Sequence, residues 1–398
     1  MMYLTVPVFW HNIGSMDPNI IYIKRDIEPV IKKHFNTGKV IVIYGPRQAG
    51  KTTLLNNIFN GEEFLYLSCD QERIREQLIP DRLALEKVIG NYNNVIFDEA
   101  QHLKDSGLML KILVDNFPKR NFVASGSSSF DLANKLTEPL TGRHFKFLLF
   151  PLSLLEINSF IPSVDRDFQF KESLIYGSYP EVFKFKSGDE KIEHLSTLTD
   201  SYLYQDILAF NLVKDSKKVR ELLTAIAFQL GSEVSYSELA LTVGIDRKTV
   251  EYYLDLLEKS FVLFRLYGFS RNLRSEINRK VKIYFYDLGV RNALINNFNS
   301  LSLRNDGGGM FENFVISEIV KKTVNDPQKT NLYFWRTYEQ KEMDLVAEKN
   351  GRIKAFEIKT KKPKKVKSFQ AFQGLYPESK TEVITMDNLT SILENPVV

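Results

Sequence analysis

At 398 residues the chain exceeds the size at which one hydrophobic core keeps growing, so two or three domains are expected. Its 43% apolar and 26% charged residues leave little room for a large disordered tract, and no run approaches the ~18 apolar residues of a membrane-spanning helix. The net charge of +4 is too small to demand a nucleic-acid partner. The single cysteine, Cys69, excludes an internal disulfide or a multi-cysteine zinc site and fits a reducing, cytoplasmic setting.

Residues 1–20 lack the basic start and long apolar run of a signal peptide, and read as a loose N-terminal arm or a mis-assigned start. Residues 21–155 alternate short apolar runs with amphipathic segments, the pattern of a parallel sheet covered by helices. The strands expected there are Val40–Tyr44, Phe64–Ser68, Asn94–Phe97, Asn121–Ala124 and Phe145–Phe150.

Between the first strand and a helix opening TTLLNNIF lies GPRQAGKT, a complete Walker A loop. Its glycines let backbone N–H groups turn inward around phosphate oxygens, and the helix N-terminus adds a field that favours anions. Gly45, Pro46, Arg47, Gln48, Ala49, Gly50, Lys51, Thr52 and Thr53 are the expected ATP-binding residues, with Lys51 on the β- and γ-phosphates and Thr52 on Mg2+. Further along, NVIFDEAQ delivers Asp98 and Glu99 to a strand's C-terminal end, where α/β sheets bind ligands. Asp98 is the expected magnesium residue, and Glu99 the group that orients and deprotonates the attacking water. The next strand ends in Ser125, Gly126, Ser127 and Ser128, where a hydroxyl such as Ser127 can sense the γ-phosphate, although small residues also make plain turns. Arg143, in LTGRH, suits an arginine finger in its own chain or on a neighbouring copy of a homo-oligomer. A plain surface arginine is the equal alternative.

Residues 156–215 turn mostly helical, broken at Gly177–Pro180, and form a connector or lid. Residues 216–300 contain a helix-turn-helix pattern around Gly244, with Leu239, Ala240, Val243, Ile245, Val250, Tyr253, Leu254 and Leu257 at core spacing. Its second helix presents Arg247, Lys248, Thr249 and Tyr252 for phosphates or base edges. Asp246, Glu251 and Asp255 on the same face would repel a phosphate backbone, so DNA contact and a protein-binding or lid role both stay open.

After an expected loop over Asn305–Gly309, residues 305–398 read as a helix over Phe311–Thr323 and strands at Leu332–Phe334, Met343–Ala347 and Ile353–Ile358. Asp344 precedes Glu357, Ile358 and Lys359, an ExK triplet on the following strand, with Glu357 and Lys359 on one face. Two carboxylates there can hold magnesium, with Glu312 or Glu318 completing the set and Lys359 stabilising charge on a scissile phosphate. The stretch from Arg352 to Lys367 carries eight Lys or Arg against one Glu, suited to gripping a nucleic-acid backbone.

The combination YIKRDIE, GPRQAGKTT, VIFDEAQHL, SGSS, LTGRH, PLSLLEI and GSYPE, continued by YLYQDIL and KIYFYDLGVR, resembles a group of bacterial and archaeal AAA-type ATPases distantly related to signal-transducing P-loop ATPases. The resemblance covers nearly all of the chain after residue 20. It implies ATP binding, a hinged multidomain arrangement and a C-terminal domain of unassigned function related to PD-(D/E)xK nucleases. Glu312, Asp344, Glu357 and Lys359 fall where such nucleases carry catalytic residues, with Glu312, Asp344 and Glu357 as ligands of a second Mg2+. The fold expected is therefore α/β: a P-loop NTPase core with a parallel sheet, a winged-helix-like helical domain, and a restriction-endonuclease-like α/β domain. The expected function is ATP hydrolysis coupled to DNA binding or cleavage, with no membrane partner. The rival is an ATP-dependent switch with protein partners and a catalytically silent C-terminal domain.

Overall fold

The computed structural model describes residues 22–127, 140–208, 215–270 and 281–398. The expected N-terminal arm and Ser128 lie outside the described residues. The chain divides into two compact units, one running up to Tyr44 and over Gly50–Phe147, the other comprising Gly45–Ala49 and Leu148–Val398.

The first unit is built on β1 (Val40–Tyr44), β2 (Phe64–Ser68), β3 (Asn94–Asp98), β4 (Asn121–Gly126) and β5 (His144–Leu148), in the order β2-β3-β4-β1-β5. Its helices are α1 (Glu28–Lys32), α2 (Lys51–Ile58), α3 (Glu72–Gln77), α4 (Arg82–Ile89) and α5 (Ser106–Asn116). β1 and β3 are buried along their whole length, as continuous apolar runs in a two-sided parallel sheet should be, whereas the edge strand β2 alternates between buried and half-buried positions. Parallel register sets Tyr44 opposite Gly126, Phe97 opposite Ala124 and Ser68 opposite Asp98. The C-terminal ends of four strands therefore finish level. The last strand starts at His144 and ends at Leu148, one residue earlier at its start and two at its end than Phe145–Phe150.

The second unit contains α6 (Leu154–Phe160), α7 (Arg166–Tyr176), α8 (Gly188–Leu208), α9 (Ser216–Phe228), β6 (Glu233–Val234), α10 (Tyr236–Val243) and α11 (Arg247–Lys259), followed by β7 (Leu263–Gly268), β8 (Val281–Phe285) and α12 (Leu288–Leu294). It ends with α13 (Gly307–Thr323), β9 (Asn331–Arg336), β10 (Glu342–Lys349), β11 (Arg352–Ile358), α14 (Lys367–Leu375), β12 (Lys380–Ile384) and α15 (Leu389–Glu394). Gly307, Gly308 and Gly309 form the first turn of α13, not part of a loop.

The expected break between residues 300 and 305 is not a boundary between compact units. Strand β7 of the helical region pairs in parallel with β9, Tyr267 opposite Tyr333 and Gly268 opposite Phe334. One seven-stranded sheet results, β12-β11-β10-β9-β7-β8-β6. A single core cluster joins Leu154 and Leu174, Phe264 and Tyr284, and Phe311, Phe314, Phe334 and Phe356, so the 156–215 connector also shares this core. A second cluster, with Trp335, Met343, Val346, Ala355 and Phe372, covers the α14 face. Burying both faces against helices is what binds the sheet into one body.

Motifs GSYPE and YDLGVR meet inside this unit. The buried Asp287 carboxylate accepts from Ser178 N at 2.7 Å and Gly289 N at 2.8 Å, and caps α12. Gly177 has φ 74°, and a Cβ there would stand 2.0 Å from Asp287 Oδ1, so no side chain fits. Next along the helix, Arg291 donates to Ala227 O and to Asp306 Oδ2 at 2.6 Å. These contacts pin α12 to the ends of α7 and α9.

Candidate nucleotide site

The phosphate loop leaves β1 at Gly45 and enters α2 at Lys51. A Cβ on Gly45 would lie 1.9 Å from the carbonyl oxygen of Leu149, which requires glycine. Gln48 and Gly50 take left-handed backbone at φ 60° and 92°, the turn that reverses the chain before the helix. The Lys51 side chain is buried.

Asp98 ends β3 level with Ser125 of β4 and Ser68 of β2. Three hydroxyls converge on its carboxylate. Thr52 donates at 2.9 Å, and Tyr66 and Ser125 each make a short contact. Burial and then the charge of Asp98 push the Tyr66 hydroxyl well above the ordinary phenol range, so it stays protonated and donating. The same causes carry the Cys69 thiol up to about 12, which makes this buried thiol unreactive.

Glu99 is half-buried and held at φ 52°, a left-handed conformation that non-glycine residues adopt where their surroundings enforce it. Gln101, in the 3-10 turn that follows, donates to Glu99 Oε2 and, at 3.2 Å, to Ser127 Oγ. Thr52, Asp98, Glu99 and Ser127 thus belong to one hydrogen-bonded neighbourhood. Tyr66 and Gln101 are its members that sequence reasoning missed. Gln101 stood in view two residues after Glu99, whereas no spacing rule singles out Tyr66.

Arg143 lies elsewhere. Its carbonyl accepts from Val40 N, at the opposite end of β1 from the loop, about 13 Å away at ~3.3 Å per strand residue. Its side chain pairs with Asp115 at 2.8 Å. Its partners, Val40 and Asp115, are those of the plain surface arginine that was the equal alternative to a finger.

In the second unit, Asp344 adjoins Leu345, which pairs with Phe356 beside Glu357 on the antiparallel β10–β11 pair, and β10 shows a register irregularity against β9 between Met343 and Val346. Lys359 Nζ bridges the two carboxylates, 3.3 Å from Asp344 and 2.9 Å from Glu357, and Ser368 donates to Glu357 at 3.2 Å. The ExK residues do converge. Burial and then Asp344 raise the Glu357 carboxyl, while on Lys359 the lowering by burial is outweighed by Asp344 and Glu357.

The expected magnesium set of Glu312, Asp344 and Glu357 is not assembled. Glu312 rises from α13 and accepts from Lys282 Nζ at 3.1 Å and Tyr284 OH at 2.7 Å. Lys282, only 2% exposed, also pairs with Glu342. Among the described residues no group of three or more His, Cys, Asp or Glu is placed to hold a metal ion. Two ammonium groups fill the spaces between carboxylates instead. The alternative ligand Glu318 is committed elsewhere, accepting from Leu154 N at 2.7 Å and pairing with Lys321 at 2.8 Å.

The helix-turn-helix elements form as expected, with Gly244 left-handed at φ 71° between α10 and α11. Its expected contact residues are partly engaged at home. Asp246 caps the helix through Thr249, Arg247 pairs with Glu251 at 3.0 Å, and Tyr252 is half-buried. Lys248 is exposed.

Residues 37–158 match the family model of an AAA domain. This stretch is an AAA-type P-loop ATPase-like domain. Residues 167–301 and 307–395 match two domains of unknown function. An uncharacterized protein of Mycobacterium tuberculosis is 28% identical over 340 residues, covering 84% of this chain and 74% of its own. Another, from Methanocaldococcus jannaschii, is 26% identical over 409 residues, covering 94% and 89%. Among solved structures, a Walker-type ATPase of Pyrococcus abyssi overlaps 69% of this chain and 96% of its own at 16% identity and TM-score 0.49. A signal-transduction ATPase of Pyrococcus horikoshii with a tetratricopeptide repeat sensor overlaps 80% and 48% at 13% identity and TM-score 0.31. No helix among the described residues is long and apolar enough to cross a membrane.

Proposed function

We propose that the AAA domain binds ATP with magnesium and hydrolyses it. The observation that carries this reading is the 2.9 Å hydrogen bond from Thr52, on the phosphate loop, to Asp98, at the end of β3. A hydroxyl and a carboxylate touching at a helix N-terminus make a donor set suited to a hard cation beside phosphate. Thr52 and Asp98 would hold the ion, and Lys51 would meet the β- and γ-phosphates. Magnesium, when bound, supplies neutralisation of charge on the phosphate oxygens. Glu99 orients the attacking water and takes its proton, and Ser127 donates to the γ-phosphate.

Phosphate release and ATP binding, measured in parallel, test these roles. Lys51→Ala should lose binding, whereas Glu99→Gln should keep ATP bound and stall turnover. Equal loss of binding in both variants would contradict the assignment.

For the second unit, the favoured output is a switch: nucleotide state alters what the seven-stranded body binds, with the Glu312 and Asp344 clusters serving as internal ion pairs. Support comes from the lysines already seated between the carboxylates. A DNA-directed version keeps one observation in its favour, the convergence of Asp344, Glu357 and Lys359 just before Lys361, Lys362, Lys364, Lys365 and Lys367, all exposed. Magnesium-dependent cutting of plasmid and single-stranded DNA by wild type, lost in Glu357→Ala and Lys359→Ala, would establish that version. No cutting, together with DNA binding that ignores salt, would remove it.

A further inference from the structure

The Gln101 carboxamide touches both groups assigned to the water and to the γ-phosphate. Its nitrogen donates to Glu99 Oε2 and to Ser127 Oγ, and the residue is 6% exposed, inside the sheet end rather than at its rim. A primary amide has two N–H bonds directed about 120° apart, so one nitrogen can hold two acceptors at a fixed separation. Ser127, by accepting from Gln101, keeps its own proton to donate elsewhere. Glu99, with φ 52° and its backbone N–H given to Asp98 Oδ1 at 3.2 Å, rests on a strained backbone that a neighbouring side chain must steady.

We infer that Gln101 is a positioning residue for ATP hydrolysis, tying the carboxylate of Glu99 to the hydroxyl of Ser127 so that base and phosphate donor keep one fixed spacing. This rests on the reading of Glu99 as the base. Gln101 acts through its two acceptors, Glu99 and Ser127. Its contribution is to the geometry of the chemical step and not to the affinity for nucleotide.

Gln101→Met keeps the side-chain length and removes both donors, which separates hydrogen bonding from packing. Turnover at saturating ATP should fall about 10- to 100-fold, the scale of a misplaced catalytic group, while the Kd for ATP changes less than about threefold. In a Glu99→Gln background the same change should lower turnover no further, because the group it positions is gone; a general structural lesion would still subtract. Unaltered turnover in Gln101→Met, or a parallel loss of affinity and turnover, overturns the inference. So does a full additional loss in the double variant. A wild type that turns over ATP no faster than Lys51→Ala overturns the hydrolysis reading and this inference together, and so is told apart from failure of Gln101 alone.

Discussion

Asp98 in the AAA domain and Asp344 in the seven-stranded body are both buried aspartates, on strands, with a second carboxylate close by. Their partners differ in kind. Asp98 is held by the hydroxyls of Thr52, Tyr66 and Ser125, which orient its oxygens without cancelling its charge. Asp344 and Glu357 share the ammonium of Lys359, and Glu312 and Glu342 share that of Lys282. Hydroxyl-held carboxylate can still attract a cation, whereas lysine-held carboxylate has its counter-ion built in. The same residue type thus has hydroxyl partners in one region and an ammonium partner in the other.

The largest effect separating the two arrangements should come from Lys282→Met. It leaves the half-buried Glu312 without its cation, while Glu342 keeps Arg336 at 3.7 Å, and breaking a largely buried pair by removing one partner costs about 3–5 kcal/mol. Chemical denaturation measures it; a loss below ~1 kcal/mol would mean that this ion pair is not what neutralises the cluster. Ser125→Ala removes one hydroxyl from Asp98 while Thr52 and Tyr66 remain, and should cost about 1.5–3 kcal/mol, the worth of a hydrogen bond to a charged group.

Acid titration should distinguish carboxylates within the second unit as well. Side-chain hydrogen bonds from Arg304, then Arg291, hold the Asp306 carboxyl well below the usual range. A depressed folded value stabilises above the ordinary carboxylate range and is lost as the pH falls through it, so Asp306→Asn should destabilise at neutral pH and progressively less in acid. Glu312 is raised, chiefly by burial, so its folded state holds the proton more tightly. Its contribution therefore declines as the pH rises above 4.5, its ordinary value, and Glu312→Gln should flatten that decline. Denaturation of both variants across pH checks the two opposite slopes. The smallest effect belongs to Lys359→Ala, whose side chain is 45% exposed: about 0–1 kcal/mol, against the several expected at Lys282.

Much of the AAA domain was legible in the sequence because its chemistry is local. GPRQAGKT is contiguous, its strand and helix adjoin it, and VIFDE reports its own burial by three apolar residues in a row. The ExK pairing was legible for the same reason, since Glu357 and Lys359 need only strand alternation. What the sequence did not show depended on distant parts of the chain. No spacing shows that Lys282 will fill the gap beside Glu312, 30 residues on, or that β7 will pair with β9 and merge two expected domains into one sheet. Arg143 was legible only as a choice between a finger and a surface arginine, because it precedes its strand and its contacts with Val40 and Asp115 depend on tertiary structure.

The central claim, that Asp98 and Glu99 are adjacent carboxylates with different tasks at a working nucleotide site, is tested most directly by titrating ATP with and without magnesium into wild type, Asp98→Asn and Glu99→Gln. Magnesium should strengthen binding in wild type and in Glu99→Gln, and that gain should be lost in Asp98→Asn. If both variants keep the gain, or both lose it, the division of roles drawn from the Thr52–Asp98 and Gln101–Glu99 contacts is wrong.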